Sequence, residues 1–165
     1  MVTQPINEHR TGDASGASVQ QLYRELTSLE TRSDGDAPSE HHSERVVADT
    51  MEHLFPDRSF EFDEELVKNS LDELLLVLVA LRDGDNHGKG LMEDLSELFD
   101  AQLSPGTVYP RLHDLEDEGV LEMHELVRTK EYRIDDVDAS RERIEAAMCQ
   151  HLALGFVFYA ALEEL

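Results

Sequence analysis

Ser104, Thr107, Val108 and Arg111 fall within one short stretch, LSPGTVYPRLHDLEDEGVL, residues 103–121. A guanidinium can make two parallel hydrogen bonds to the edge of a guanine. Serine and threonine hydroxyls, together with the free N–H groups of a first helical turn, suit phosphate oxygens. A second group follows: Arg128, Lys130 and Arg133 place three of the seven basic residues of 63–135 within six positions. Cations so clustered suit a phosphate backbone, the other reading being a solvated ribbon with lysine-blunted edges. The chemistry on offer is recognition of double-stranded DNA.

The first group has a helix to carry it. Ser104 suits an N-cap, Pro105 suits the first helical position, where its missing N–H costs nothing, and Gly119 suits the stop. Val108, Leu112 and Leu115 recur as a buried stripe, so Thr107, Arg111 and Asp114 share an outward face. Pro110 removes the bond to the Gly106 carbonyl and predicts a kink. Behind this helix, 120–126 and 130–135 alternate as two strands, with Arg128 and Thr129 at the bend. The turn type stays open, because neither Asn-Gly nor Gly-Gly is present.

Upstream, the pattern predicts a helix over 64–82 that is apolar nearly all round from Leu74 to Leu81, hence central and buried. Turn chemistry follows at 83–86, then a helix over 88–99 with Leu91, Met92, Leu95, Leu98 and Phe99 inward. Downstream, a helix runs from Val137 to Glu164, capped by Asp136 or Asp138, and is almost wholly apolar from Leu152 to Leu162. Such a run must pack against the domain or against a second subunit. Three helices, a hairpin and a long helix describe a mainly α fold with a small β-hairpin wing: a winged helix-turn-helix with a C-terminal dimerisation helix.

The chain divides into an extension (1–62), a DNA-binding domain (63–135) and a dimerisation helix (136–165). Residues 1–17 are polar and glycine-dotted, which predicts disorder. Ser18 opens an amphipathic helix carrying Val19, Leu22, Tyr23, Leu26 and Leu29, a linker covers 31–43, and a second short helix runs over 44–55 until Pro56 ends it. Helices this short dock on the main domain or bind a partner.

The 165 residues carry 14 lysines and arginines against 37 aspartates and glutamates, a net charge of −23. The deficit is spread along the chain, with five basic against twelve acidic residues in 1–62 and seven against nineteen in 63–135. No acidic tail localises it. A carboxylate-rich surface fits a salt-saturated cytoplasm, where molar salt screens repulsion to within about 3 Å. With 40% hydrophobic residues, global disorder is excluded. Cys149 is the single cysteine, which predicts a reducing, cytoplasmic setting. It is read as a small buried hydrophobe, the alternative being a redox sensor at a dimer interface. No signal peptide is expected from the polar first twenty residues, and the apolar runs 74–81 and 153–162 fall short of the ~20 residues that span a bilayer. The eight histidines lack a cysteine partner or HExxH spacing, so no metal is expected, and no nucleophile arrangement or phosphate loop points to an enzyme or a cofactor.

Residues 71–135 resemble the PadR family of winged-helix transcriptional regulators. The resemblance is carried by a leucine-rich first helix, the His87-Gly88 turn, the string LSPGTVYP from Leu103 to Pro110, and the ending Leu115 to Gly119. The acidic composition and the wing MHELVRTKEYRI resemble a haloarchaeal branch of that family. The resemblance implies a homodimer built by the C-terminal helix and binding (pseudo)palindromic operators. It implies that Tyr109 contacts the DNA backbone and that Thr107 and Arg111 lie in or near the groove. Where the family often has tyrosine after the His-Gly, this chain has Lys89, which could still reach a phosphate. The rival reading is a winged-helix adaptor for protein–protein contact. A small-molecule effector between subunits is neither supported nor refused.

Overall fold

The structure is a computed structural model and describes residues 42–55, 60–82, 84, 86–162 and 164–165. Helix α1 spans His42–Leu54, α2 Glu64–Asn69, α3 Leu71–Leu81, α4 Gly88–Phe99, α5 Pro105–Asp117 and α6 Val137–Leu162. Strands β1 (Leu121–Glu125) and β2 (Lys130–Ile134) pair antiparallel, with Leu121 opposite Ile134 and Met123 opposite Tyr132. The architecture is mainly helical with a two-stranded wing, as the pattern predicts. The helix expected from Ser18 lies outside the described residues, as does the linker up to residue 41.

The leucine-rich α3 is central. Leu75, Leu76, Leu78 and Val79 are buried, and α4, α5, α6 and the hairpin pack around them. From α4 come Leu91, Leu95 and Phe99, from α5 Val108, Leu112 and Leu115, and from the hairpin Leu121 and Tyr132.

The helix expected over 64–82 is two helices. Asp63 caps the first by accepting from the Leu66 N–H at 3.0 Å, and the chain breaks at Ser70 (φ −109°, ψ 20°). Asn69 and Ser70 are weak helix formers, whose side chains compete for backbone bonds. The Ser70 hydroxyl instead lies 3.2 Å from His151 Nε2 on α6. The turn expected at 83–86 lies partly outside the described residues, since 83 and 85 are not among them, but its last residue is placed. The Asn86 carbonyl accepts from the Tyr132 N–H at 2.9 Å and His87 bridges Glu131, so a one-residue third strand lies beside β2.

Helix α5 runs without a break through Pro110. Its end is a Schellman motif: Val120 N–H bonds the Leu115 carbonyl at 3.0 Å and Gly119 N–H bonds Glu116 at 2.9 Å, with Gly119 at φ +72°. In the wing, Leu126 N–H bonds the Thr129 carbonyl at 2.8 Å, leaving Val127 and Arg128 as the loop. Neither has a positive φ, so this is not the mirror-image turn that an Asn-Gly pair would form.

Asp136 caps α6, its carboxylate accepting from Ala139 N–H at 2.9 Å. The apolar end of α6 does not return to the domain: Leu154, Phe156, Val157, Phe158 and Leu162 are all exposed. Among the described residues the domain therefore leaves most of this run uncovered, with Leu152 and Tyr159 half-buried. Cys149 is exposed as well, which corrects its reading as a buried hydrophobe. Val137–Leu162 as a whole is long and apolar enough to cross a membrane by length and composition. The run 153–162 alone is too short, and the difference comes from the alanine-rich turns that precede it.

Candidate nucleic-acid interface

The first turn of α5 projects Ser104, Pro105 and Gly106 into solvent, with Thr107 half-buried behind them. Ser104 occupies the N-cap with extended backbone (φ −74°, ψ 154°), and its carbonyl accepts from Thr107 N–H at 2.9 Å and Val108 N–H at 3.1 Å. Its hydroxyl does not cap the helix; it lies 3.1 Å from the Thr107 hydroxyl. Both hydroxyls are thus tied to each other at the tip of the helix, where a phosphate or base edge would approach.

Val108 is a correction. Expected among the base-edge residues, it is 0% exposed and belongs to the core. The helical period explains this directly, since Val108 stands four residues before Leu112 on the inward stripe. Tyr109 is half-buried. Its ring lies so close to Gly88 that a Cβ there would come within 2.5 Å of Cε1. The His-Gly pair thus has two structural tasks. His87 Nδ1 accepts from Gly90 N–H at 2.7 Å and caps α4, and Gly88 admits the tyrosine from α5. The two helices of the helix-turn-helix are locked together at this point.

Arg111 leaves α5 one turn beyond Thr107, with its side chain 50% exposed. Its Nη1 lies 3.6 Å from the Asp72 carboxylate at the start of α3. Asp72 also receives Arg143 of α6 at 3.0 Å, and Arg143 in turn reaches Glu73 at 3.5 Å and Glu118 at 2.5 Å. Three helices therefore meet in one charged cluster beside the candidate reading head. Burial pushes the Asp72 carboxyl above the usual carboxylate range, although Arg111 and Arg143 pull it down. The Glu118 hydrogen bond and the neighbouring carboxylates raise the Arg143 guanidinium against the opposing effect of burial, so it stays charged. Sequence reasoning missed this cluster. The available signal was the Asp72-Glu73 pair heading an otherwise apolar helix.

On the wing, Arg128, Lys130 and Arg133 are all exposed. Lys130 and Arg133 differ by an odd number of strand positions, so their side chains leave opposite faces of the ribbon. Lys130 is on the face of Tyr132. Arg133 is on the other and pairs with Glu131 at 3.1 Å. Lys89 stands on the first turn of α4, pairs with Glu93 at 3.3 Å and is 80% exposed. The expected cations are all on the surface, but they are not one patch. Asp114 and Asp117 on the second half of α5 and Glu118 just after it are exposed, and the wing exposes Glu122 and Glu125 among its cations, with Glu125 opposite Lys130, so neither surface is uniformly cationic. Among the described residues no group of three or more His, Cys, Asp or Glu could hold a metal ion.

Residues 77–137, from the middle of α3 through the wing, match the family model described as the transcriptional regulator PadR-like family. These residues form a PadR-like domain. The chain is 46% identical over 100 residues to the transcriptional activator GvpE of Haloferax mediterranei, a match covering 61% of this chain and 51% of that protein. It is 42% identical over 108 residues to the transcriptional activator GvpE1 of Halobacterium salinarum, covering 66% and 56%. It is 43% identical over 89 residues to GvpE2 of the same organism, covering 54% and 46%. The match thus spans about half the length of each relative. All three relatives are haloarchaeal, in keeping with the acidic surface. The PadR-like domain begins inside α3, so Asp72 and the helices before it lie outside the matched residues.

Proposed function

We propose that this chain is a homodimeric, sequence-specific regulator of transcription that binds double-stranded DNA, with no cofactor. The start of α5 enters the major groove, where Ser104 and Thr107 approach phosphates and Arg111 approaches a base edge. Tyr109, Lys89, Arg128 and one face of the wing, that of Lys130 or that of Arg133, supply backbone contacts. The second subunit is joined through α6 and sets the spacing of two half-sites. The observation that carries the reading is the presentation of α5: Val108, Leu112 and Leu115 are hidden in the core while its first turn and Arg111 face solvent. A helix delivered this way beside a ribbon that carries three exposed cations matches the docking geometry of helix-turn-helix readers. We draw the direction of control, activation, from the names of the three relatives.

A gel shift in molar KCl tests the reading, using DNA upstream of the gene itself and its neighbours. Retardation of particular fragments, resisted by excess unrelated DNA, is the expected outcome. Absence of retardation for every fragment would favour an adaptor that contacts proteins.

A further inference from the structure

We propose that Asp72 is a positioning residue for Arg111: its carboxylate, itself fixed by Arg143, steadies one side of the guanidinium and leaves the other side to a base edge. The proposal rests on the DNA reading above and extends the reader to a residue that lies outside the PadR-like domain.

Asp72 sits in the first turn of α3, its side chain 17% exposed, and both cations meet the same atom, Oδ2. Arg143 donates to it from Nη2 at 3.0 Å, a hydrogen bond. Arg111 Nη1 stands at 3.6 Å, a charge contact too long for one. That contact restrains the guanidinium without spending an N–H on it. The fork of donors that matches guanine O6 and N7 therefore stays available.

Charge balance keeps Arg111 in place when DNA arrives. Three carboxylates, Asp72, Glu73 and Glu118, share Arg111 and Arg143, and Arg143 reaches all three. Without Arg111, a single guanidinium would answer all three. Oδ1 of Asp72 is buried and has no hydrogen-bond partner among the described residues, so compensation falls on Oδ2. Taking a cation from a largely buried carboxylate is costly. So sheltered a carboxylate is also screened less by salt than an exposed one, and the contact is expected to survive molar KCl.

An arginine without this restraint has a second use for its charge. Phosphate oxygens flank every base edge and carry no sequence information. A guanidinium free to swing to them strengthens binding to any duplex and weakens the choice among duplexes. One already held has given up the rotamer freedom of a long side chain before DNA is met.

The test compares the affinities of two duplexes in molar KCl. One is the duplex most enriched from random double-stranded DNA by the wild-type full chain, the other a shuffled duplex of the same composition. Asp72→Asn is expected to lower the ratio of the two affinities about three- to tenfold, within the range for residues in one ion-pair network. Asp72→Ser removes the charge with a smaller side chain and should act alike. In the Arg111→Ala background neither substitution should change the ratio. Merely removing a negative charge near DNA would strengthen both duplexes equally. Equal changes for both duplexes, an unchanged ratio in either folded variant, or a fall that persists without Arg111 would each overturn the role of Asp72 while leaving the DNA reading intact. Enrichment of no sequence by the wild type would overturn the DNA reading, and this inference with it.

Discussion

Arg111 stands half-exposed beside a carboxylate, so any contact it makes with a base is shared with Asp72. If it reads a guanine, Arg111→Ala should lower operator affinity by about 1–3 kcal/mol and relax the preference at one base pair. Titration against operators substituted one position at a time measures both, and an unchanged footprint would remove Arg111 from the reader. Asp72 makes a separate prediction about stability. Burial raises its folded pKa above the unfolded value, so its ionisation opposes folding. Its stabilising contribution is fully present below the unfolded carboxylate value and is lost as pH rises through the folded one. Asp72→Asn mimics the neutral acid, so its advantage over the wild type should grow in denaturant melts as pH rises above the ordinary carboxylate range. A uniform loss at every pH would instead mean that pairing with Arg111 and Arg143 outweighs burial.

Helix α5 was legible because, Pro110 apart, the local signals agree on it: proline at its first position, an inward Val-Leu-Leu stripe, and glycine at its end. The same stripe showed that Val108 faces the core, although proximity to the helix start suggested otherwise. The break at Ser70 and the bridge that Asn86 and His87 make to β2 were not legible, because both depend on partners far away in sequence, His151 in the first case and Glu131 and Tyr132 in the second. The Gly88–Tyr109 contact joins two elements whose motifs could be seen separately but not together. Gly88→Ala is expected to cost about 1–3 kcal/mol by forcing the tyrosine ring aside, read as a lower melting temperature. An unshifted melt would mean that the ring moves freely. On the wing, Arg128→Ala should weaken binding to all sequences alike. Because Lys130 and Arg133 leave opposite faces, their alanine variants should differ in effect, and equal losses would contradict a single face of approach.

At the scale of the molecule, a net charge of −23 must be reconciled with the polyanionic partner proposed for it. Ordinary DNA binding weakens steeply as salt rises, because condensed counterions are released. Here Asp114 and Asp117 are exposed on the same helix as Arg111. Association should take up cations to screen those carboxylates, so the dependence of affinity on KCl is expected to be flat or inverted. A steep ordinary loss would exclude this account of the acidic surface. The exposed end of α6 was visible in the pattern as a run of apolar residues that needs a cover. What the pattern could not decide was which cover, because a domain and a second subunit present the same chemistry.

The central claim is that α5 and the wing of a two-fold dimer read DNA. Its most direct test is selection from random double-stranded DNA by the full chain in molar KCl, repeated with Arg111→Ala. The account predicts an enriched, two-fold-related motif for the wild type, with preference lost at one position in each half-site for the variant. Recovery of unenriched DNA, or of one motif unaltered by the substitution, would contradict it.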